Sequence, residues 1–348
     1  MNRLRTNYVF SRKRKKDSKL ALVKRAITIL FFFGVPILLF VLIKNVDWTD
    51  VVKSLHGLKP EKLALGLIIC VISYAVVSTY DLLGRKYTKH SLPARQVLPI
   101  AFVCYAFNLN LGSWVGGIAL RFRLYSRLGL NSRTITQILT FSLLSNWLGF
   151  TLLAGLVFAA GVIDLPKNWQ IGTGGLKLIG VVLLLICGFY LWTCQFRQRR
   201  YWRGLGQKFE LPSLGLATWQ IALAALNWAL MALLIFVLLP SKASYVAVLG
   251  ILFISSAAGL ILRIPGGVGV LETVFVTFLH HQFSKGTILA ALIGYRVIYF
   301  LIPLAVAAVV YLIIESRVKK LRAENEQNQA EPAGLPSDDH HLLKTTSA

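Results

Sequence analysis

Eight long apolar runs constrain this chain more than any other feature. They cover residues 26–43, 63–83, 98–120, 134–162, 176–196, 217–239, 243–262 and 287–314. A bilayer core about 30 Å thick is crossed by a helix of roughly 20 apolar residues, and every run is near or above that length. One such run would suit a buried core helix. Eight of them describe a polytopic membrane protein, because lipid offers no partner to backbone N–H and C=O groups. Only helices and closed barrels satisfy those groups internally. The runs have helical length and lack strand alternation, which excludes a barrel. Composition agrees: 56% of residues are hydrophobic and 15% charged, against about 25% charged in a soluble domain. The expected fold class is therefore all-α.

The net charge of +24 first suggests nucleic acid, but its placement gives another reading. Short loops rich in Lys and Arg stay cytoplasmic. Arg12, Lys13, Arg14, Lys15, Lys16, Lys19, Lys24 and Arg25 precede the first run, which lacks a small-residue cleavage site. They mark residues 1–25 as a basic cytoplasmic segment ahead of an uncleaved anchor. Basic clusters at 85–95, 121–133, 197–208 and 317–322 mark the same face. The transmembrane domain is thus expected over 26–316, with both termini cytoplasmic and a polar, disordered tail over 317–348.

Simple alternation fails twice. Run 98–120 lies between two basic segments, 84–96 and 121–133, and carries Asn108, Asn110, Gly112, Gly116 and Gly117, all poor helix formers. Region 243–285 must enter and leave on the outer side, and it breaks at Pro265, Gly266, Gly267 and Gly269. The expectation is six full spans plus two re-entrant hairpins of opposite direction, with eight full spans as the alternative. Opposed hairpins are the pattern of an inverted repeat, a common plan of transporters. Gly116-Gly117-Ile118 and Gly266-Gly267-Val268 echo one another faintly.

Few charges fall at membrane depth, where ionisable groups are costly and are paired or functional. They are Asp81, Arg263, Glu272 and Arg296, with Arg121 just beyond the first glycine pair and Glu315 at a span end. Arg296 fits an ion pair with Asp81 or Glu272, or a phosphate site, since a guanidinium forms paired hydrogen bonds to phosphate. Glu272 fits a neutralising partner of Arg263 or Arg296, or a proton-coupling group. Asp81 fits a bond to Arg85 one turn on, or charge balance in a central site. Helices restarting after Gly116-Gly117 or Gly266-Gly267 would offer free N–H groups to an anion, whereas close helix packing also favours glycine. The candidate substrate-binding set is Gly116, Gly117, Arg121, Arg263, Gly266, Gly267 and Arg296. Asp81 and Glu272 form the candidate charge-balancing set. Cys70, Cys104, Cys187 and Cys194 lie inside apolar runs as packing residues. No metal site, cofactor or enzymatic signature is expected.

Four segments carry a family resemblance. They are Tyr80-Asp81-Leu82-Leu83-Gly84-Arg85, Trp114-Val115-Gly116-Gly117, Arg121-Phe122-Arg123-Leu124-Tyr125-Ser126-Arg127-Leu128-Gly129, and Pro265-Gly266-Gly267-Val268-Gly269-Val270-Leu271-Glu272. In these the chain resembles the lysylphosphatidylglycerol synthase transmembrane family, over roughly residues 20–322. The resemblance implies a bacterial inner-membrane protein. In the larger relatives this region is implicated in flipping lysyl-phosphatidylglycerol, and a separate domain transfers lysine. The resemblance here does not extend to a transferase domain, so lysine transfer is not expected to carry over. The implied function is a transporter or flippase for a phospholipid or other anionic lipid, with membrane phospholipids and not nucleic acid as partners. A non-transporting scaffold and an integral membrane lipid-modifying enzyme are the rival classes.

Overall fold

The computed structural model describes residues 56–162, 172–196, 201–204, 207–262, 267 and 269–330. The first apolar run, Arg263 and Gly266 lie outside these residues. Helix α1 spans Pro60–Thr88. Proline in its first turn loses no hydrogen bond, and Arg85 and Lys86 in its last turn complement the helix dipole. Helix α2 is Ala94–Leu111 and stops at Gly112, whose φ of 81° suits glycine. A π-helical segment, Ser113–Ala119, leads into the short helix α3, Leu120–Arg127. Helix α4, Ser132–Ala160, begins where the Asn131 side chain accepts from the Thr134 N–H, and ends at Gly161 with φ 65°.

Helix α5 is Thr173–Phe196. Helix α6, Leu214–Leu238, is capped by Ser213. Helix α7, Tyr245–Leu262, is followed by the shorter α8, Val270–Leu279. Helix α9, Lys285–Arg296, runs into a second π-helical segment, Val297–Leu301, and then into α10, Ile302–Ala330. The last helix thus continues past the boundary expected at 316. One departure from an all-helical chain is a two-stranded ribbon in the loop after α5. There β1, Tyr201–Gly204, pairs antiparallel with β2, Gln207–Glu210.

Six helices among the described residues are long and apolar enough to cross a membrane, the last running unbroken in length over Lys285–Ser316. Helix α6 is the central one, with 61% of its most apolar window buried, while α5 is peripheral at 17%. Small residues set the closest contacts, as expected where apolar side chains gain nothing by leaving lipid. A Cβ on Gly149 of α4 would stand 2.4 Å from the Ala224 carbonyl carbon of α6. One on Gly180 of α5 would stand 2.3 Å from the Ala159 nitrogen of α4.

Both irregular runs double back on themselves. After Gly112 the π-helical segment returns along α2, so closely that a Cβ on Gly116 would lie 2.0 Å from the Asn108 nitrogen. In the second run α8 packs against α7, and a Cβ on Gly259 would lie 3.6 Å from the Gly267 Cα. Each run is a broken hairpin rather than one continuous helix.

Candidate functional site

The charges at membrane depth separate into three clusters. In the first, Asp81 of α1 pairs with Arg121 of α3 rather than with its helix neighbour Arg85. Arg121 donates from Nη2 to Asp81 Oδ1 at 2.8 Å and from Nε to Oδ2 at 3.2 Å. It also reaches Ser142 Oγ of α4 at 3.1 Å. The Tyr125 hydroxyl donates to Asp81 Oδ2 at 2.8 Å. The two charged side chains are 7% and 0% exposed. This is a dry ion pair whose carboxylate oxygens are satisfied by three donors, the condition under which such a pair is tolerated.

The second cluster sits at the break of the second hairpin. Arg296, the last residue of α9, donates from Nε to Glu272 Oε1 at 2.5 Å and from Nη2 to Oε2 at 3.1 Å. The same Nη2 donates to the Gly267 carbonyl at 3.1 Å. Glu272, third residue of α8, also accepts the Gly269 N–H at 2.8 Å and so caps its own helix. Arg296 therefore ties Gly267 to the start of α8. Its guanidinium lies 5.7 Å from the centre of the Phe300 ring. The side chains of this pair are 18% and 20% exposed, and that accessibility distinguishes it from the first.

In the third cluster Glu315 of α10, 4% exposed, accepts from Arg123 Nη2 at 3.0 Å and also pairs with Arg127. The return arm of the first hairpin is thereby tied to the last span.

A neutral polar cluster lies beside the second π-helical segment. Ser73 Oγ donates to Asn227 Oδ1 at 2.7 Å and stands 2.9 Å from the Tyr299 hydroxyl. Asn227 Nδ2 approaches the Tyr105 hydroxyl at 3.4 Å. Tyr74 and Tyr295 pack their rings against Tyr299, and Tyr105 packs against Tyr74. From sequence, Asn227 inside an apolar run reads as a residue that bridges helices or lines a polar path, and here it bridges. Ser73 and the tyrosines around it were missed. So were Ser142 and Tyr125, whose partners come from other helices.

The candidate residues are thus divided. Arg121 and Asp81 are brought together, as are Glu272, Gly267 and Arg296, but the two groups are separate clusters. Gly116 is occupied by the backbone of α2, and a Cβ on Gly117 would meet Asn108 Oδ1 at 2.9 Å. This is the close-packing use of glycine. Arg263 and Gly266 are not among the described residues.

Comparison with known proteins identifies the architecture. Residues 22–307 match the model of the lysylphosphatidylglycerol synthase TM region. The Escherichia coli inner membrane protein YbhN is 47% identical over 90% of this chain and 98% of its own length. An uncharacterised Synechocystis protein is 33% identical over 75% of this chain and 82% of its own. The phosphatidylglycerol lysyltransferase of Staphylococcus haemolyticus is 23% identical over 84% of this chain but only 34% of its own length. This chain therefore spans about a third of that lysyltransferase. The chain belongs to the lysylphosphatidylglycerol synthase transmembrane family and is a multi-pass inner-membrane protein.

Proposed function

We propose that this member of the family is a transporter that moves an anionic lipid, a phospholipid in the first instance, between membrane leaflets. The supporting observation is the exposure of the Arg296–Glu272 pair beside the break of a membrane hairpin. A guanidinium there has the geometry to take a headgroup phosphate in place of a carboxylate. Broken helices are where transporters of other folds hold their substrates. In this reading Arg296 receives the phosphate and Glu272, released from it, balances charge or takes a proton. Arg121 and Asp81 hold the scaffold. The reading assigns transport and no bond-making chemistry. The hairpins enter from opposite faces as an inverted repeat requires, and both termini are cytoplasmic.

The test is leaflet exchange of labelled phosphatidylglycerol in proteoliposomes. Wild-type protein is expected to exchange the label faster than protein-free vesicles. Arg296→Ala, shown to be folded by circular dichroism and gel filtration, should lose about 10- to 100-fold, the equivalent of one charge-assisted paired contact. Equal exchange with and without protein would overturn the proposal and favour a scaffold.

A further inference from the structure

We infer that Cys70, Tyr74 and Asn110 are positioning residues for Arg296, acting through the π-helical segment Val297–Leu301. Arg296 is the residue directly before this segment. The segment is wide-turned: the Ile302 N–H reaches back to the Val297 carbonyl, five residues away. π-Helical turns are rare and cluster at functional sites. Pro303, directly after Ile302, brings no N–H and its ring crowds the Tyr299 carbonyl, so an ordinary α-turn is broken here. The carbonyls left open are taken by neighbours. Three consecutive carbonyls of the segment each accept a side-chain donor from another helix. Cys70 Sγ donates to Ile298 at 3.2 Å, the Tyr74 hydroxyl to Tyr299 at 3.0 Å and Asn110 Nδ2 to Phe300 at 3.3 Å. Two of these donors come from α1 and one from α2, the outgoing arm of the first hairpin.

These donors add to Pro303, whose ring opposes the ordinary α-helical alternative, in holding the widened turn. An α-helix advances about 100° and 1.5 Å per residue. Closing the π turn to α therefore rotates α9 relative to α10 by about that angle and swings Arg296 off Glu272 and Gly267. The widened turn is thus the register that keeps the arginine on the second hairpin. Because Asn110 belongs to the first hairpin, the two hairpins are mechanically joined through one segment. The inference deepens the transport reading: the two registers are the arginine-engaged and arginine-released states of the same site.

Hydrogen exchange of the purified full-length protein tests this without any transport measurement. Tyr74→Phe removes one donor and keeps the ring. It is expected to speed exchange about five- to ten-fold at residues 297–302 and also at Gly269–Glu272, where the loss of Arg296 loosens the helix cap. Cys70→Ala should act in the same direction, and Cys70→Ser should restore protection. Ser78→Ala, which loses only a bond to its own helix at Tyr74, should change neither region. Faster exchange at 297–302 with Gly269–Glu272 unchanged would overturn the coupling. If transport fails to appear but both regions respond together, the coupling stands and the transport reading falls.

Discussion

At the scale of single residues, two arginines of the same formal charge have different uses, and burial decides which. Arg121 is enclosed with all its carboxylate partner's needs met, so its contribution is to stability. Removing one member of such a pair leaves an uncompensated charge and costs about 3–5 kcal/mol. Asp81→Asn is expected to lower the thermal unfolding temperature of detergent-solubilised protein markedly. The double change Asp81→Asn with Arg121→Met should recover much of the loss, because no lone charge then remains. If the double variant is as unstable as Asp81→Asn alone, the pair's charge is not the source. Arg296 was legible in sequence as a charge too deep to reach water. Its partner was legible only as one of two carboxylates, because a residue 24 positions away is brought close by the hairpin and not by helical spacing. Asp81 shows the same limit: Arg85 is its neighbour on the helix, yet Arg121 wins through tertiary packing.

At the scale of elements, the two hairpins were readable because glycine, proline and asparagine weaken a helix wherever it lies. The use of those glycines was not readable. Gly116 looks like a residue that bares N–H groups, whereas its lack of a side chain admits the α2 backbone at Phe107 and Asn108. Gly116→Ala must therefore pry the first hairpin apart, and is expected to destabilise the protein by a few kcal/mol, as overpacking does. Gly188→Ala on α5 meets nothing within 4 Å, and should be neutral or slightly stabilising through helix propensity. Thermal unfolding of both variants compares them, and equal losses would rule out the close-packing role. The π-helical form itself was not read from the sequence, although Gly116 and Gly117 lie in the first segment and Pro303 follows the second. The three donors that fix the second segment sit on other helices.

At the scale of the whole molecule, the apolar runs among the described residues carried most of the architecture, because bilayer thickness acts on local sequence; the basic loops assign an orientation. Topology follows as a prediction. Single cysteines at Lys89 and Ser132, in a background without native thiols, should label only from the cytoplasmic side. One at Lys242 should label only from the opposite side. Labelling of Lys89 and Ser132 from opposite faces would make the first hairpin a full crossing. The ribbon of β1 and β2 lies in the basic loop 197–216 and was not foreseen, as four-residue strands rest on their pairing alone.

The ties that hold the first hairpin and α1 have a consequence for biogenesis. Cys70, Tyr74 and Arg123 find their partners 228, 225 and 192 residues later in the chain. At a synthesis rate of about 5–20 residues per second, these groups wait roughly 10–45 s in the membrane before the last span arrives. During that interval the early helices lack these ties to the end of the chain. Assembly of this protein is therefore complete only when its last span has arrived, and a chain stalled before Lys285 lacks all three.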